Sequence, residues 1–191
     1  MNNLHLVKTI TREDKEHILN TKSKVIWLYG LSGSGKSTIA LSLEKYFLDN
    51  NIISKILDGD NLRLSINGDL DFTIEGRYEN IRRTAEIAKM FLDCGIVTIV
   101  SLITPTNELR KLAKDIIGED DFIEIFVNTP LDVCIKRNPK GLYSKNIKNF
   151  TGVSSTFENP TLCDLEINTE ILDIEEETKI IYNFYVRRTN N

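Results

Sequence analysis

Histidine, cysteine and unbroken apolar sequence are all scarce in this chain. His5 and His17 are its only histidines, and Cys94, Cys134 and Cys163 its only cysteines, with no CxxC pair among them. A zinc site built from the usual nitrogen and sulfur ligands is therefore not expected. Three scattered thiols also exclude a disulfide framework and suit a reducing compartment. Each lies among apolar residues, so all three are expected to be buried as small hydrophobes. No apolar run approaches the length of a membrane span. The first twenty residues carry Lys8, Arg12, Glu13, Asp14 and Glu16 without an apolar core, which is not the pattern of a secretion signal. Positive charge is short as well: 24 lysines and arginines stand against 28 acids, a net charge of −4. A nucleic-acid-binding surface usually needs the opposite balance. The expectation is a cytoplasmic protein that uses neither nucleic acid nor membrane, and whose grip on any anion is local.

What remains is an ordinary globular composition. The 191 residues are 41% hydrophobic and 27% charged, enough for one domain with a full core. Residues 1–22 read as a polar leader, with Thr11 placed to cap a helix and Asp14 three positions on. Residues 23–191 read as a single domain. Short apolar runs at 25–29, 52–57, 96–102, 122–127 and 165–167 suit buried strands. Between them, helical periodicity covers 36–48, 77–94, 108–117, 130–137 and 175–185, with Gly95 as the stop of the second. Strands alternating with helices predict a three-layer α/β fold, a mostly parallel central sheet flanked by helices. Residues 138–160 lack periodicity and are rich in Asn, Lys, Gly, Ser and Thr, as a functional lid would be.

The strand at 25–29 runs straight into GLSGSGKS at 30–37, which meets the pattern GxxxxGK[ST] at Gly30, Gly35, Lys36 and Ser37. Glycine at 30, 33 and 35 permits tight turns and close approach of the main chain to phosphate. Leu31, Ser32, Gly33 and Ser34 then complete a loop whose N–H groups turn toward one anion. The following helix adds its positive end. Lys36 offers a mobile cation for the outer phosphates, and Ser37 a hydroxyl for Mg²⁺. Strand, loop and helix together make this a nucleoside triphosphate site and not a mere glycine-rich turn. By itself the loop does not separate a kinase from other nucleotide-driven proteins.

Asp58 and Asp60 close the second strand, at the sheet end where such folds gather ligands. They can serve Mg²⁺, its waters or an acceptor hydroxyl that must lose a proton. The competing reading is an Asp-Gly turn capping a short segment at 61–66. Arg63, Arg77, Arg82 and Arg83 follow, with Phe72 among them. Arginine suits a bidentate grip on phosphate or sulfate, and an aromatic ring can stack on a base. A solvated, salt-bridged helix face would contain such arginines too.

At this point the chain resembles the adenylylsulfate kinases, the P-loop family usually called APS kinases. The resemblance runs from TRED at 11–14 to EIN at 166–168. It takes in GLSGSGKSTIA at 30–40, LDGDNLR at 57–63, DLDF at 69–72 and RYENIRR at 77–83. It continues through IAKMFLDCG at 87–95, SLITP at 101–105, EIFVNTPLDVC at 124–134, KGLY at 140–143 and FTG at 150–152. The resemblance implies transfer of the ATP γ-phosphoryl to the ribose 3′-hydroxyl of adenosine 5′-phosphosulfate, with Mg²⁺, in a homodimer. Asp58 would serve the metal with Ser37, and Asp60 the acceptor hydroxyl. Phe72 and Phe150 would sandwich the acceptor adenine, while Arg63, Arg77 and Asn80 hold its phosphosulfate end. Arg137 would lie near the ATP adenine and Lys140 would reach the phosphates. Thr104 stands where the family's ISP motif places a phosphoryl-carrying serine, a role that direct in-line transfer does not require.

The chain departs from the family at Leu64, Ser65 and Asp71, and only residues 144–149 separate KGLY from FTG, where relatives carry a longer segment. Two other readings stay open on this basis. One is a P-loop kinase for a different nucleotide-linked or small phosphorylated acceptor. The other is a nucleotide-binding regulatory subunit without turnover, favoured by the short lid and opposed by intact Lys36, Ser37, Asp58 and Asp60.

Overall fold

A computed structural model describes residues 10–138, 141–145 and 150–190 of the chain. Its centre is β1 (Val25–Tyr29), all five residues of which are inaccessible to solvent. Alternation along the strand sends Val25, Trp27 and Tyr29 into one core layer and Ile26 and Leu28 into the other. A strand buried on both faces needs apolar residues throughout, which is why VIWLY has no polar position.

β1 pairs with β3 (Val97–Ser101) on one side and β4 (Phe122–Val127) on the other. Outside them lie β2 (Ser54–Asp58) and β5 (Leu165–Ile167), giving the order β2-β3-β1-β4-β5. Every pairing is parallel, so the sheet expected to be mostly parallel is wholly so among the described residues. The chain builds β2 and β3 on one side of β1 and then crosses to β4 and β5. Successive connections therefore diverge at the carboxyl end of β1, where open α/β sheets form their ligand crevice.

Helices cover both faces. Ile81, Ala85, Ala88 and Leu92 of α4 (Ile74–Leu92) pack on the first layer with Leu109, Ala113 and Ile117 of α5 (Asn107–Ile117). Ile39, Leu43 and Phe47 of α2 (Lys36–Asp49) meet Ile181 and Tyr185 of α7 (Ile174–Thr189) on the second. Burying each of these large side chains contributes about 1.5–3 kcal/mol.

Several boundaries differ from the sequence reading for identifiable reasons. The helix expected from residue 77 begins at Ile74, because the Thr73 hydroxyl accepts the Gly76 N–H at 3.1 Å and caps it. Gly76 falls in the first turn of this helix; a Cβ there would sit 2.6 Å from the Asp71 carbonyl, so it is a close-approach glycine. The last helix runs longer than 175–185, opened by a capping box between Asp173 and Glu176. Cys134 is buried as expected and Cys163 is half-buried, but Cys94 is exposed. It sits in the turn between α4 and β3, where the apolar neighbours that suggested burial point away into the two elements they belong to.

The described part of the leader, residues 10–22, packs on the domain. Thr11 and Asp14 form the reciprocal cap of α1 (Arg12–Leu19), with bonds of 3.1 and 3.2 Å. From its first turn Arg12 donates to both Asp121 carboxylate oxygens at 2.6 and 2.9 Å and to Glu16 at 2.8 Å. Glu16 also accepts from the Ser23 N–H and hydroxyl at 2.8 and 2.6 Å. Burial by itself would raise both carboxyl groups. The hydrogen bonds from Ser23 and Arg12 to Glu16, and from Arg12 and Lys24 to Asp121, outweigh it and hold both below the ordinary range. A depressed carboxyl pKa stabilises the fold above its ordinary value and loses that contribution as pH falls through the folded one. Arg12→Ala is thus expected to cost roughly 1–3 kcal/mol at neutral pH, since Asp121 and Glu16 both lose a charge-assisted partner and keep only Lys24 on one side and Ser23 and Lys22 on the other. Urea denaturation should show the gap from the parent protein narrowing below about pH 4; a gap independent of pH would contradict this account.

Candidate active site

The crevice is built on the loop after β1. Gly30 has φ +152°, and a Cβ there would lie 2.5 Å from the Val127 carbonyl of the neighbouring strand. Gly35, at φ +104°, is the N-cap of α2. Between them the Ser34 N–H donates to the Leu31 carbonyl at 3.1 Å, closing the turn. The Ser34 carbonyl in turn accepts from the hydroxyls of Thr129 at 2.8 Å and Thr169 at 3.2 Å, which lie 2.7 Å from each other. The Ser34–Gly35 peptide is thus pinned by its carbonyl, and trans geometry sends the Gly35 N–H the opposite way. The first N–H groups of α2 have no intrahelical acceptor and point the same way.

Lys36 is almost fully buried within the loop. Its ammonium donates to the Leu31 carbonyl at 2.7 Å and to the Ser34 hydroxyl at 3.3 Å, which fixes a positive charge inside the concavity. Beside it the Ser37 hydroxyl donates to Asp58 Oδ2 at 2.7 Å and lies 3.3 Å from the Ser101 hydroxyl. Asp58 Oδ1 accepts the Asp60 N–H at 3.1 Å and caps α3 (Gly59–Arg63). The turn thus caps a short helix with one carboxylate oxygen, as the competing reading expected, while the other oxygen faces Ser37. The donor set of Ser37, Asp58 and Ser101 is all oxygen and holds one carboxylate. That fits Mg²⁺, which is usually held through one or two carboxylates with phosphate and water completing its shell. Among the described residues no group of three or more His, Cys, Asp or Glu forms a separate metal cage.

Across the crevice, Arg63 donates from one nitrogen to the carbonyls of Leu70 and Asp71, each at 3.0 Å. Its guanidinium lies 4.2 Å from the centre of the exposed Phe72 ring. Arg77 donates to the Phe72 carbonyl at 3.1 Å and lies 5.9 Å from the same ring. Burial lowers the pKa of both; the neighbouring Arg63 charge lowers Arg77 further. Two desolvated guanidiniums side by side favour an anionic ligand. Asn80 is buried beside them, and its Oδ1 accepts from the Asn67 amide at 3.0 Å, which leaves the Asn80 amide nitrogen for the cavity side. Arg82 and Arg83 instead bind Glu79 and Asp69. Their hydrogen bonds hold the Glu79 carboxyl down at about 2. Those two arginines belong to the salt-bridged outer face.

One cavity of about 890 Å³ joins the two halves. Its walls include Ser32, Gly33, Gly35, Lys36, Ser37, Asp58, Asp60, Arg63, Phe72, Arg77, Asn80, Arg137 and Phe150. Ser34 is buried behind the loop. Leu31 borders a smaller neighbouring depression next to Gly152. Phe150 is nearly buried and meets the edge of Tyr143, ring centres 4.8 Å apart, while the Tyr143 hydroxyl donates to the Ser32 carbonyl at 2.9 Å. Thr104 also borders the cavity, at φ +40°, but its hydroxyl accepts the Trp27 indole N–H at 2.9 Å. The side chain that keeps the hydroxyl of the ISP serine is held by the core. Lys140 lies outside the described residues.

Comparison with known proteins settles the family. The sequence profile described as adenylylsulphate kinase matches residues 22–168. The chain belongs to this family. An adenylyl-sulfate kinase of Bacteroides fragilis is 46% identical, with 99% of this chain and 96% of that protein aligned. The corresponding enzyme of Bacteroides thetaiotaomicron is 51% identical over 88% of this chain and 86% of its own. The Mycobacterium tuberculosis APS kinase CysC, solved with AMPPNP and APS, superposes with a TM-score of 0.83. That comparison covers 86% of this chain and 98% of the other at 39% identity.

Seen as an adenylylsulphate kinase, the chain holds site residues that sequence reasoning passed over. Thr129 and Thr169 are the clearest. Each follows an apolar strand residue and an asparagine, VNT at 127–129 and INT at 167–169, and this repeated strand ending was the available signal. Arg137, at the end of α6 (Leu131–Arg137), donates to the Thr169 hydroxyl at 2.8 Å and carbonyl at 2.9 Å. Asn67 and Ser101 gave no signal, since each acts only through a partner distant in sequence. Thr169→Val should therefore loosen the loop and Arg137 together while keeping side-chain shape. Nucleoside triphosphate affinity, read by calorimetry, is expected to fall about tenfold with little change in melting temperature. An unchanged affinity would remove Thr169 from the site.

Proposed function

We propose that this chain is an adenylylsulfate kinase, transferring the γ-phosphoryl of ATP to the 3′-hydroxyl of adenosine 5′-phosphosulfate to give 3′-phosphoadenosine 5′-phosphosulfate and ADP. The observation that carries this reading is the single cavity shared by Lys36, Ser37 and Asp58 on one side and Arg63, Phe72, Arg77, Asn80 and Phe150 on the other. Family membership and the kinships above support the same conclusion.

Phosphoryl transfer asks for alignment and neutralised charge more than for covalent chemistry. The loop and the α2 N-terminus hold the triphosphate by backbone N–H groups, and Lys36 sets a cation where negative charge grows. Ser37 and Asp58 would hold Mg²⁺, which supplies charge neutralisation at the phosphates when bound. Arg63, Arg77 and Asn80 grip the phosphosulfate, whose two anionic groups match the two desolvated guanidiniums. Phe72 and Phe150 provide the rings for the acceptor base. Asp60, in the first turn of α3 and on the cavity wall, would accept the proton of the attacking 3′-hydroxyl. Arg137 lies at the far end of the cavity, toward the base of ATP, and Lys140 follows it in sequence. Thr104 takes no part in this direct transfer.

Among the described residues no helix is long and apolar enough to cross a membrane. A cytoplasmic homodimer, with sulfate assimilation as its setting, is the arrangement the family resemblance supports. ADP release from ATP and Mg²⁺, in a coupled assay, is expected to depend on added adenylylsulfate, with the 3′-phosphorylated product visible by chromatography. No release above the ATP-only control would sink the proposal. Lys36→Ala should lower kcat by about 10²–10³-fold, the size of effect seen when one transition-state electrostatic contact is removed.

A further inference from the structure

The donor end of the cavity holds a buried acid for which the transfer chemistry has no use. Glu177, in the first turn of α7, is only 3% exposed and yet contributes to the cavity wall. Among the described residues its carboxyl makes no hydrogen bond or ion pair, unlike Glu16, whose burial is matched by Arg12 and Ser23. Burial pushes its pKa up to about 7; the Arg137 charge draws it down and Asp173 adds to the rise. Buried polar groups in folded proteins nearly always have partners, and a group without one in a ligand cavity points to the ligand as the partner.

Its place along the cavity identifies that ligand. The γ-phosphate must lie between loop and acceptor, near Lys36, Ser37 and Asp58. The acceptor occupies the side of Arg63 and Phe72, so the rest of the donor extends the other way, past Gly35. There Thr169 approaches Gly35, with its methyl 3.4 Å from where a Cβ would stand. Two hydrogen bonds to Thr169 hold the Arg137 guanidinium, leaving a fixed planar group on which a base can stack. Leu172 and Ile174 supply the apolar wall, and Glu177 is the acid at that end. Apolar walls with one placed polar group are how small-molecule pockets fix orientation.

We propose that Glu177 accepts a hydrogen bond from the exocyclic amino group of the donor nucleobase, and so selects ATP over triphosphates that carry no amino group at that position. This inference rests on the kinase reading for the identity of the donor. The carbonyl oxygen of the carboxyl accepts whether the group is ionised or neutral, so the contact survives across the working pH range. A carboxamide keeps the same acceptor. Alanine removes it.

The test measures binding and not only turnover. Calorimetry with ATP and with purine riboside triphosphate, which lacks the 6-amino group, gives the value of that group in each protein. The parent is expected to bind ATP about tenfold more tightly than the deamino analogue. Glu177→Gln should keep that preference, and Glu177→Ala should abolish it, with both triphosphates binding alike. Removal of an unpaired buried carboxyl should leave the melting temperature equal or higher, which separates a lost contact from a damaged fold. The same amino-group preference in parent and Glu177→Ala would overturn the inference, as would no preference in the parent. Turnover with adenylylsulfate is recorded alongside: its failure would refute the kinase assignment, whereas turnover with no coupling to Glu177 would refute this inference alone.

Discussion

The shape of the phosphate loop depends on one backbone carbonyl. The Ser34 carbonyl is held by two threonine hydroxyls, one after β4 and one after β5. With that oxygen fastened, the N–H of the same peptide, that of Gly35 at the start of α2, has to point the opposite way. Gly30 adds the second condition, because the adjoining strand passes too close for any Cβ. Phosphate binding is thus a property of the sheet as much as of the loop. β5 has three residues and looks expendable, yet it places Thr169, which reaches both the loop and Arg137.

Most of the scaffold could be read from the sequence because its causes are local. β1 declared itself as an unbroken apolar run and β4 as one interrupted only by Glu124, and both matched to the residue. The phosphate loop was legible because glycine, lysine and serine at fixed spacing have few other reasons to occur together. The start of α4 was not: Gly76 falls in its first turn, and the close approach of the Asp71 carbonyl to it shows only in the fold. Cys94 misled for a related reason, since its apolar neighbours face inward from elements that end on either side of it.

The acceptor side divides along the same line. Arginines along 63–83 could all be counted, but the sequence had no means of separating Arg63 and Arg77 from Arg82 and Arg83. The separation comes from Glu79 and Asp69, which neutralise the latter pair on the outer face. Residues that work through another side chain were invisible throughout. Asn67 sets the orientation of Asn80, and Tyr143 ties residues 141–145 to the phosphate loop. Glu177 was hidden differently: amid Glu175 and Glu176 it looks like one more acid in a solvated first turn, and only helix geometry singles it out for burial.

Asp58 has a consequence beyond its own contacts. One oxygen receives the Ser37 hydroxyl and the other receives the backbone of α3, so the two halves of the reaction are fastened to opposite ends of one carboxylate. That group cannot turn toward the triphosphate without loosening the helix that carries Asp60 and Arg63. The carboxylate is a shared anchor, holding the first turn of α2 and the first turn of α3 at once. A substitution at Asp58 would therefore remove the cap of α3 and the partner of Ser37 in one step.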